Sequence, residues 1–117
     1  MNISIAIIDD EEDICFLLGS ILKQLHHKVT FANTISEGKK LVRKEKPSVI
    51  FLDMNLPDGS GMDELPQLKL EFPDAKIIMI SAFDGQKERS AALESGADVF
   101  LGKPFSKETI VEALKNI

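Results

Sequence analysis

The sequence predicts an α/β fold in which five βα units wind a parallel sheet with helices on both faces. Three observations lead there. Short β-branched runs alternate with longer amphipathic ones along the 117 residues, the connections between them are brief, and two of the apolar runs stop abruptly on carboxylates. Strand, helix, strand repetition with short connections implies parallel pairing, and right-handed crossovers leave few topologies.

The first strand, over 3–8, is the run Ile3-Ser4-Ile5-Ala6-Ile7-Ile8, and it ends on five consecutive acids, Asp9 to Asp13. A helix over 12–26 follows. Its residues Ile14, Leu17, Leu18, Ile21 and Leu25 form one stripe at helical spacing, the side expected to pack on the sheet. Phe16 falls on the opposite face, Cys15 on the flank, and His26 and His27 read as solvated cations at the C-terminal end. The second strand, 28–32, leads to a helix over 34–45, the stretch where Lys39, Lys40, Arg43, Lys44 and Lys46 gather. The third strand, 48–52, carries Val49-Ile50-Phe51-Leu52 and stops on Asp53. Pro66 lies in the third helix, 63–72. A missing N–H is tolerated only among the first helical residues, so this helix is expected to begin near Asp63.

The fourth strand, 76–81, runs Ile77-Ile78-Met79-Ile80 into Ser81-Ala82. The helix after it, 85–95, is weakly amphipathic, with only small Ala91 and Ala92 and then Leu93 after a polar start. It is expected to be the least firmly anchored of the five. The fifth strand, 98–102, runs Val99-Phe100-Leu101 into Gly102-Lys103-Pro104-Phe105. The last helix, 106–117, takes Ser106 as its N-cap and packs Ile110, Val111, Leu114 and Ile117, ending with the chain as an excised domain would.

Composition narrows the class. With 44% hydrophobic residues the chain has enough apolar mass for one domain, 1–117, that folds alone. Nineteen acidic against 14 basic residues give a net charge of −5, which weighs against direct nucleic-acid binding. A lone Cys15 excludes an internal disulfide or a Cys-based zinc site. No run approaches the ~20 apolar residues of a membrane span, and no leader precedes the first strand, so a cytoplasmic protein away from membranes is expected.

In an open parallel sheet, neighbouring strands deliver their C-terminal residues to a common crevice, so Asp9, Asp10 and Asp53 are expected to converge. Three clustered carboxylates repel one another. They need raised pKa values or a hard divalent cation with oxygen ligands. Ser81 and Lys103, at two further strand ends, add a hydroxyl and an ammonium. Each residue also has a plainer reading. Asp9 to Asp13 can be an acid-enriched helix N-terminus, which suffices for Glu11 to Asp13. Asp53 can be a turn-former ahead of Asn55, Ser81 a strand-end hydroxyl, Lys103 a solvated amine, and Phe100 a core aromatic.

As an ordered set, these motifs closely resemble the receiver (CheY-like) domain of two-component response regulators, over essentially the whole chain. Asp9-Asp10-Glu11 resembles the family's acidic pair after the first strand, Asp53 its phosphate-accepting aspartate, Ser81-Ala82 its hydroxyl and small residue, and Lys103-Pro104 its Lys-Pro. Leu56-Pro57-Asp58-Gly59 is similar to its proline and glycine turn, and Phe100 stands at its aromatic switch position. The resemblance implies a flavodoxin-like (βα)5 sheet in strand order 2-1-3-4-5. It implies a phosphorylation switch, not an enzyme with a released product: Asp53 takes a phosphoryl group from a sensor histidine kinase, a phosphotransfer protein or a small phosphodonor.

The implied cofactor is Mg2+, for which Mn2+ can substitute, held by the Asp10 and Asp53 carboxylates, the Asn55 carbonyl and water on Asp9. Lys103 and Ser81 would engage the phosphoryl oxygens, and Phe100 would turn inward behind them. The readout face would be the fourth helix, fifth strand and fifth helix, meeting an output protein, an attached effector domain or a second copy of the chain. The Lys103-Pro104 bond is expected to be cis. Phe16 is expected to contact the phosphodonor, and Phe83 to screen the acyl phosphate from water and slow its loss.

Three rivals fit less well. Haloacid-dehalogenase-type phosphohydrolases want Asp-x-Asp on the first strand, whereas Asp53-Met54-Asn55 lies on the third and lacks the second acid. A flavin or nucleotide module on the same architecture would need a phosphate cradle where Asp9-Asp10-Glu11 stands. A phosphorylation-independent scaffold of the same shape has no need of the complete motif set.

Overall fold

The computed structural model describes residues 2–117. Five strands, β1 (Ser4–Ile8), β2 (Lys28–Ala32), β3 (Val49–Asp53), β4 (Lys76–Ser81) and β5 (Val99–Gly102), form one parallel sheet in the order β2-β1-β3-β4-β5. This is the flavodoxin-like order. Five helices alternate with them: α1 (Glu12–Gln24), α2 (Ile35–Glu45), α3 (Gly61–Glu71), α4 (Gln86–Ser95) and α5 (Lys107–Lys115). A two-residue antiparallel hairpin, Asn55–Leu56 against Gly59–Ser60, lies between β3 and α3.

Side chains alternate across the sheet and divide the core in two. On one face Ala6, Ile8, Ile50, Leu52, Ile77, Met79 and Phe100 meet Val42 of α2, Leu65 and Leu68 of α3 and Ala92 of α4. On the other, Ile5, Ile7, Phe51, Ile78, Ile80 and Leu101 meet Leu18 and Leu22 of α1 and Ile110 and Ala113 of α5. β1, β3 and β4 are therefore apolar on both faces, the pattern of a sheet covered on both sides.

Register brings the carboxylates together. Ile8 of β1 stands level with Leu52 of β3, so the next residues, Asp9 and Asp53, leave the sheet side by side. Ser81 pairs with Gly102, which places Lys103 one step beyond it.

Several expectations need correction. The sheet-facing stripe of α1 is Cys15, Leu18 and Leu22, with the expected Ile14 and Ile21 half-buried against the same core, whereas Leu17 is 43% exposed and Leu25 is only half-buried. Apolar residues lie on most sides of this helix, so periodicity alone leaves its rotation open. The rotation seen here puts Cys15 in the core, not on the flank. α3 begins at Gly61, two residues before Asp63, and Pro66 is its sixth residue. Gly61 N–H closes the hairpin on the Met54 carbonyl (2.8 Å), and a Cβ at Gly61 would collide with the Asp53 carbonyl. The helix thus starts where the hairpin ends, and the Met62 carbonyl forgoes a donor to Pro66. His27 is not a solvated cation: it is half-buried, its Nδ1 accepts the Ile3 N–H (3.3 Å), and burial lowers its pKa.

Other features match the sequence reading. Ser106 caps α5 reciprocally with Thr109, and α4 buries only Ala92. The Lys103–Pro104 peptide bond is cis. Among the described residues no helix is long and apolar enough to cross a membrane.

Candidate phosphoacceptor and metal site

The C-terminal ends of β1, β3, β4 and β5 frame one acidic crevice. Asp9, Asp10 and Asp53 each offer a carboxylate oxygen there, and these oxygens all lie within 4.8 Å of one another. Asp9 and Asp53 are buried and Asp10 is exposed, so the cluster opens to solvent on one side. Lys103 Nζ reaches in from the end of β5, 2.8 Å from Asp9 Oδ2, 2.8 Å from Glu11 Oε1 and 3.4 Å from Asp53 Oδ1.

The electrostatics follow from burial. Desolvation, then the neighbouring Asp9 charge, pushes the Asp53 carboxyl up to about 7, against the opposing pull of Lys103 and the Asn55 backbone. Burial alone would lower the Lys103 ammonium, but its contacts with Asp9 and Glu11 and the charge of Asp53 outweigh burial and raise it. Lys103 is therefore a fixed cation in the crevice.

A divalent cation fits the remaining donors. All of them are oxygens, which suits a hard ion. Asp9 Oδ1 accepts the Glu11 N–H at 2.9 Å, while Oδ2, though close to Lys103, is buried without a hydrogen bond of acceptable geometry. An ion or its water in the crevice would satisfy that oxygen. Asn55, two residues past Asp53, opens the hairpin beside the cluster and pairs with Ser60.

The Ser81 hydroxyl is buried. It accepts the Phe83 N–H (3.0 Å) and points its own proton toward Met54 Sδ (3.7 Å). Phe83, two residues on, is 64% exposed at the mouth of the β4–α4 loop. Phe100 is buried, with the Arg89 guanidinium 5.1 Å from its ring centroid and Arg89 Nη1 donating to its carbonyl at 3.2 Å. The inward position expected of Phe100 is thus already occupied in this structure. Phe16 is 77% exposed and borders a groove of about 240 Å³ with Gly19, Ser20, Lys23 and Phe31.

Every residue singled out for the chemistry in the sequence, Asp9, Asp10, Asp53, Asn55, Ser81 and Lys103, therefore lies at this end of the sheet. Sequence reasoning missed three residues around it. On sequence alone Glu11 has no role beyond a place in the Asp9-Asp10-Glu11 motif and that of a helix-dipole acid, yet it grips Lys103 across 92 positions. Nothing in the sequence connects Arg89 with Phe100, because α4 shows no periodic clue to its orientation. Cys15 donates to the Asp9 carbonyl (3.4 Å), and burial followed by the Asp9 charge pushes its thiol up to about 11.

Comparison with known proteins identifies the family and agrees with the fold. A family model described as the response regulator receiver domain matches residues 5–115. The chain is 38% identical, over its full length, to 49% of the alkaline phosphatase synthesis transcriptional regulatory protein PhoP of Bacillus subtilis. It spans about half the length of the curated relatives it matches first. A response regulator from Burkholderia pseudomallei, solved with a phosphorylated aspartic acid, a calcium ion and citrate, superposes with a TM-score of 0.87 at 31% identity, over 95% of this chain and 65% of that one. A CheY-like receiver domain from Methanospirillum hungatei gives 0.88 at 28% identity, over 96% and 90%.

Proposed function

The chain belongs to the response regulator receiver domains, the phosphorylation-controlled modules of two-component signalling, and from that premise we propose that Asp53 is its phosphoacceptor, with Mg2+ as the cofactor. One observation carries the reading: the Asp9, Asp10 and Asp53 carboxylates converge within 4.8 Å while Lys103 Nζ stands 3.4 Å from Asp53. Phosphoryl transfer is mostly positioning and charge neutralisation, and this crevice supplies both.

An Asp53 carboxylate oxygen attacks the phosphorus in line. The bond from phosphorus to the leaving group breaks as the acyl phosphate forms, releasing imidazole from phosphohistidine or acetate from acetyl phosphate. The Asp10 and Asp53 carboxylates and the Asn55 carbonyl would hold Mg2+, and Asp9 would hold its water. When bound, the ion neutralises charge on the phosphoryl oxygens and favours the ionised form of Asp53. Lys103 supports the same ionisation and then pairs with a phosphoryl oxygen, exchanging its exposed Glu11 contact for the new one. Ser81, hydrogen-bonded to Phe83 N–H, takes another phosphoryl oxygen and carries the change into the β4–α4 loop. Pro104 follows Lys103 directly, through a cis peptide bond.

The readout is assigned to α4, β5 and α5, where Arg89 and Phe100 join the loop to the surface. A sensor histidine kinase or phosphotransfer protein would supply the phosphoryl group, in the cytoplasm. An output protein, an attached effector or a second copy of the chain would receive the signal. The module assists its own phosphorylation, but its product is a conformational state. Intact mass after incubation with acetyl phosphate tests this reading: wild type should gain one phosphoryl group only when Mg2+ is present, and Asp53→Ala should gain none. No adduct on the wild type under either condition would overturn it.

A further inference from the structure

We propose that Asp58, at the tip of the hairpin after β3, is a positioning residue for the cation: it pins to α2 the segment that carries the Asn55 carbonyl. The inference rests on the functional reading above. Asp58 Oδ1 accepts the Ile35 N–H at 2.8 Å and Oδ2 the Ser36 N–H at 3.1 Å. Both donors belong to the first turn of α2, whose N–H groups have no partner inside the helix and carry the positive end of its dipole. Those same contacts hold the Asp58 pKa below the usual carboxylate range.

The hairpin has little else to hold its tip. Its base is tied firmly, with Met54 N–H on the Ile80 carbonyl (3.0 Å) and Gly61 N–H on the Met54 carbonyl (2.8 Å). Its ladder is two residues long on each side, and Asn55, Pro57, Asp58 and Gly59 are exposed. Leu56 is the one buried side chain of its four-residue turn. At Gly59, φ is +153°, and a Cβ there would press on Ile35 Cδ1 at 3.0 Å. Turn and helix end therefore sit in direct contact.

Three fixed points define where the Asn55 carbonyl aims: the base at Met54, the Leu56 side chain in the core, and the Asp58 clamp. With the clamp removed, the turn beyond Leu56 is no longer tied to α2, and the aim of the adjoining Asn55 carbonyl loosens. The helix would not lose its cap altogether, because Thr34 Oγ1 independently accepts the Glu37 N–H at 3.1 Å.

Mn2+ titration of the intact chain, with free ion counted by electron paramagnetic resonance, tests the clamp in wild type, Asp58→Ala, Asp58→Asn and Thr34→Ala. Asp58→Ala should raise the Kd about tenfold, the scale of a lost contact behind a metal ligand. Asp58→Asn, which keeps the acceptor oxygen without the charge, should fall between, and it decides the matter if Asp58→Ala fails to fold. Thr34→Ala loosens the same helix end without touching the hairpin and should leave the Kd unchanged. Equal Kd values for wild type and both Asp58 variants overturn the clamp and leave the metal site standing. A Thr34→Ala loss as large as that of Asp58→Ala also overturns it, because the effect would then be general loosening of α2. Absence of Mn2+ binding by the wild type overturns the functional reading and the clamp together.

Discussion

Asp53→Asn should abolish phosphorylation and at the same time stabilise the fold above neutral pH. Burial and the Asp9 charge raise the Asp53 carboxyl from 3.8 to about 7. Between those values the folded protein holds a proton that the unfolded chain has already released, so stability falls as pH rises through that window. Above pH 7 the full penalty is present. At ~1.4 kcal/mol per pH unit, a gap of about three units corresponds to about 4 kcal/mol. Asn escapes that penalty, and the gap is already net of the attraction between Asp53 and Lys103. The gain is therefore expected to be about 4 kcal/mol at pH 8 and close to nothing near pH 4.

The chain has neither Trp nor Tyr, so urea unfolding followed by far-ultraviolet circular dichroism, with chelator at pH 4, 6 and 8, is the suitable assay. A divalent cation at ten times its Kd should return about 1.4 kcal/mol to the wild type and little to the variant, narrowing the difference. Equal stabilities at pH 8, or an offset that does not change with pH, would refute this account of the buried carboxylate.

Three further outcomes follow from the same geometry. Because α4 buries only Ala92 whereas α1 buries Cys15, Leu18, Gly19 and Leu22, amides of α4 should exchange with deuterium well before those of α1; equal protection would contradict the contrast. Phe83→Ala and Phe83→Glu should shorten the lifetime of phosphorylated Asp53 several-fold, as water gains access past the exposed ring, and unchanged lifetimes in both would exclude a screening role. Phe16→Ala should slow phosphotransfer from a histidine phosphodonor protein by about tenfold, the effect of losing one aromatic anchor, while leaving phosphorylation by acetyl phosphate unaltered. A matched loss with both donors would place the defect in the crevice and not in docking.

Strand and helix existence was legible because the period changes cleanly from short β-branched runs to amphipathic ones. The chemistry was legible because carboxylates, hydroxyl and ammonium stand at strand ends, where a parallel sheet has to deliver them. Boundaries near α3 were less so. Pro66 favours a late start, and only the hydrogen bond from Gly61 N–H to the Met54 carbonyl, which ties the helix start to the hairpin, explains why the helix begins early at the cost of a hydrogen bond. The rotation of α1 could not be read either, since its apolar residues lie on most sides, and packing on β1 and β3 selected Cys15, Leu18 and Leu22.

By itself, then, the order of residues determined the architecture and the inventory of the crevice, since both depend on local pattern and on where strands end. Tertiary structure alone decided the partnerships: Lys103 with Glu11, Arg89 over Phe100, and Asp58 on the first turn of α2. Each joins separate elements through groups whose geometry has no period to announce it. Burial then decides the chemistry of Asp53, because a carboxyl that is ordinary in water has its proton affinity raised once it is desolvated at the floor of the crevice.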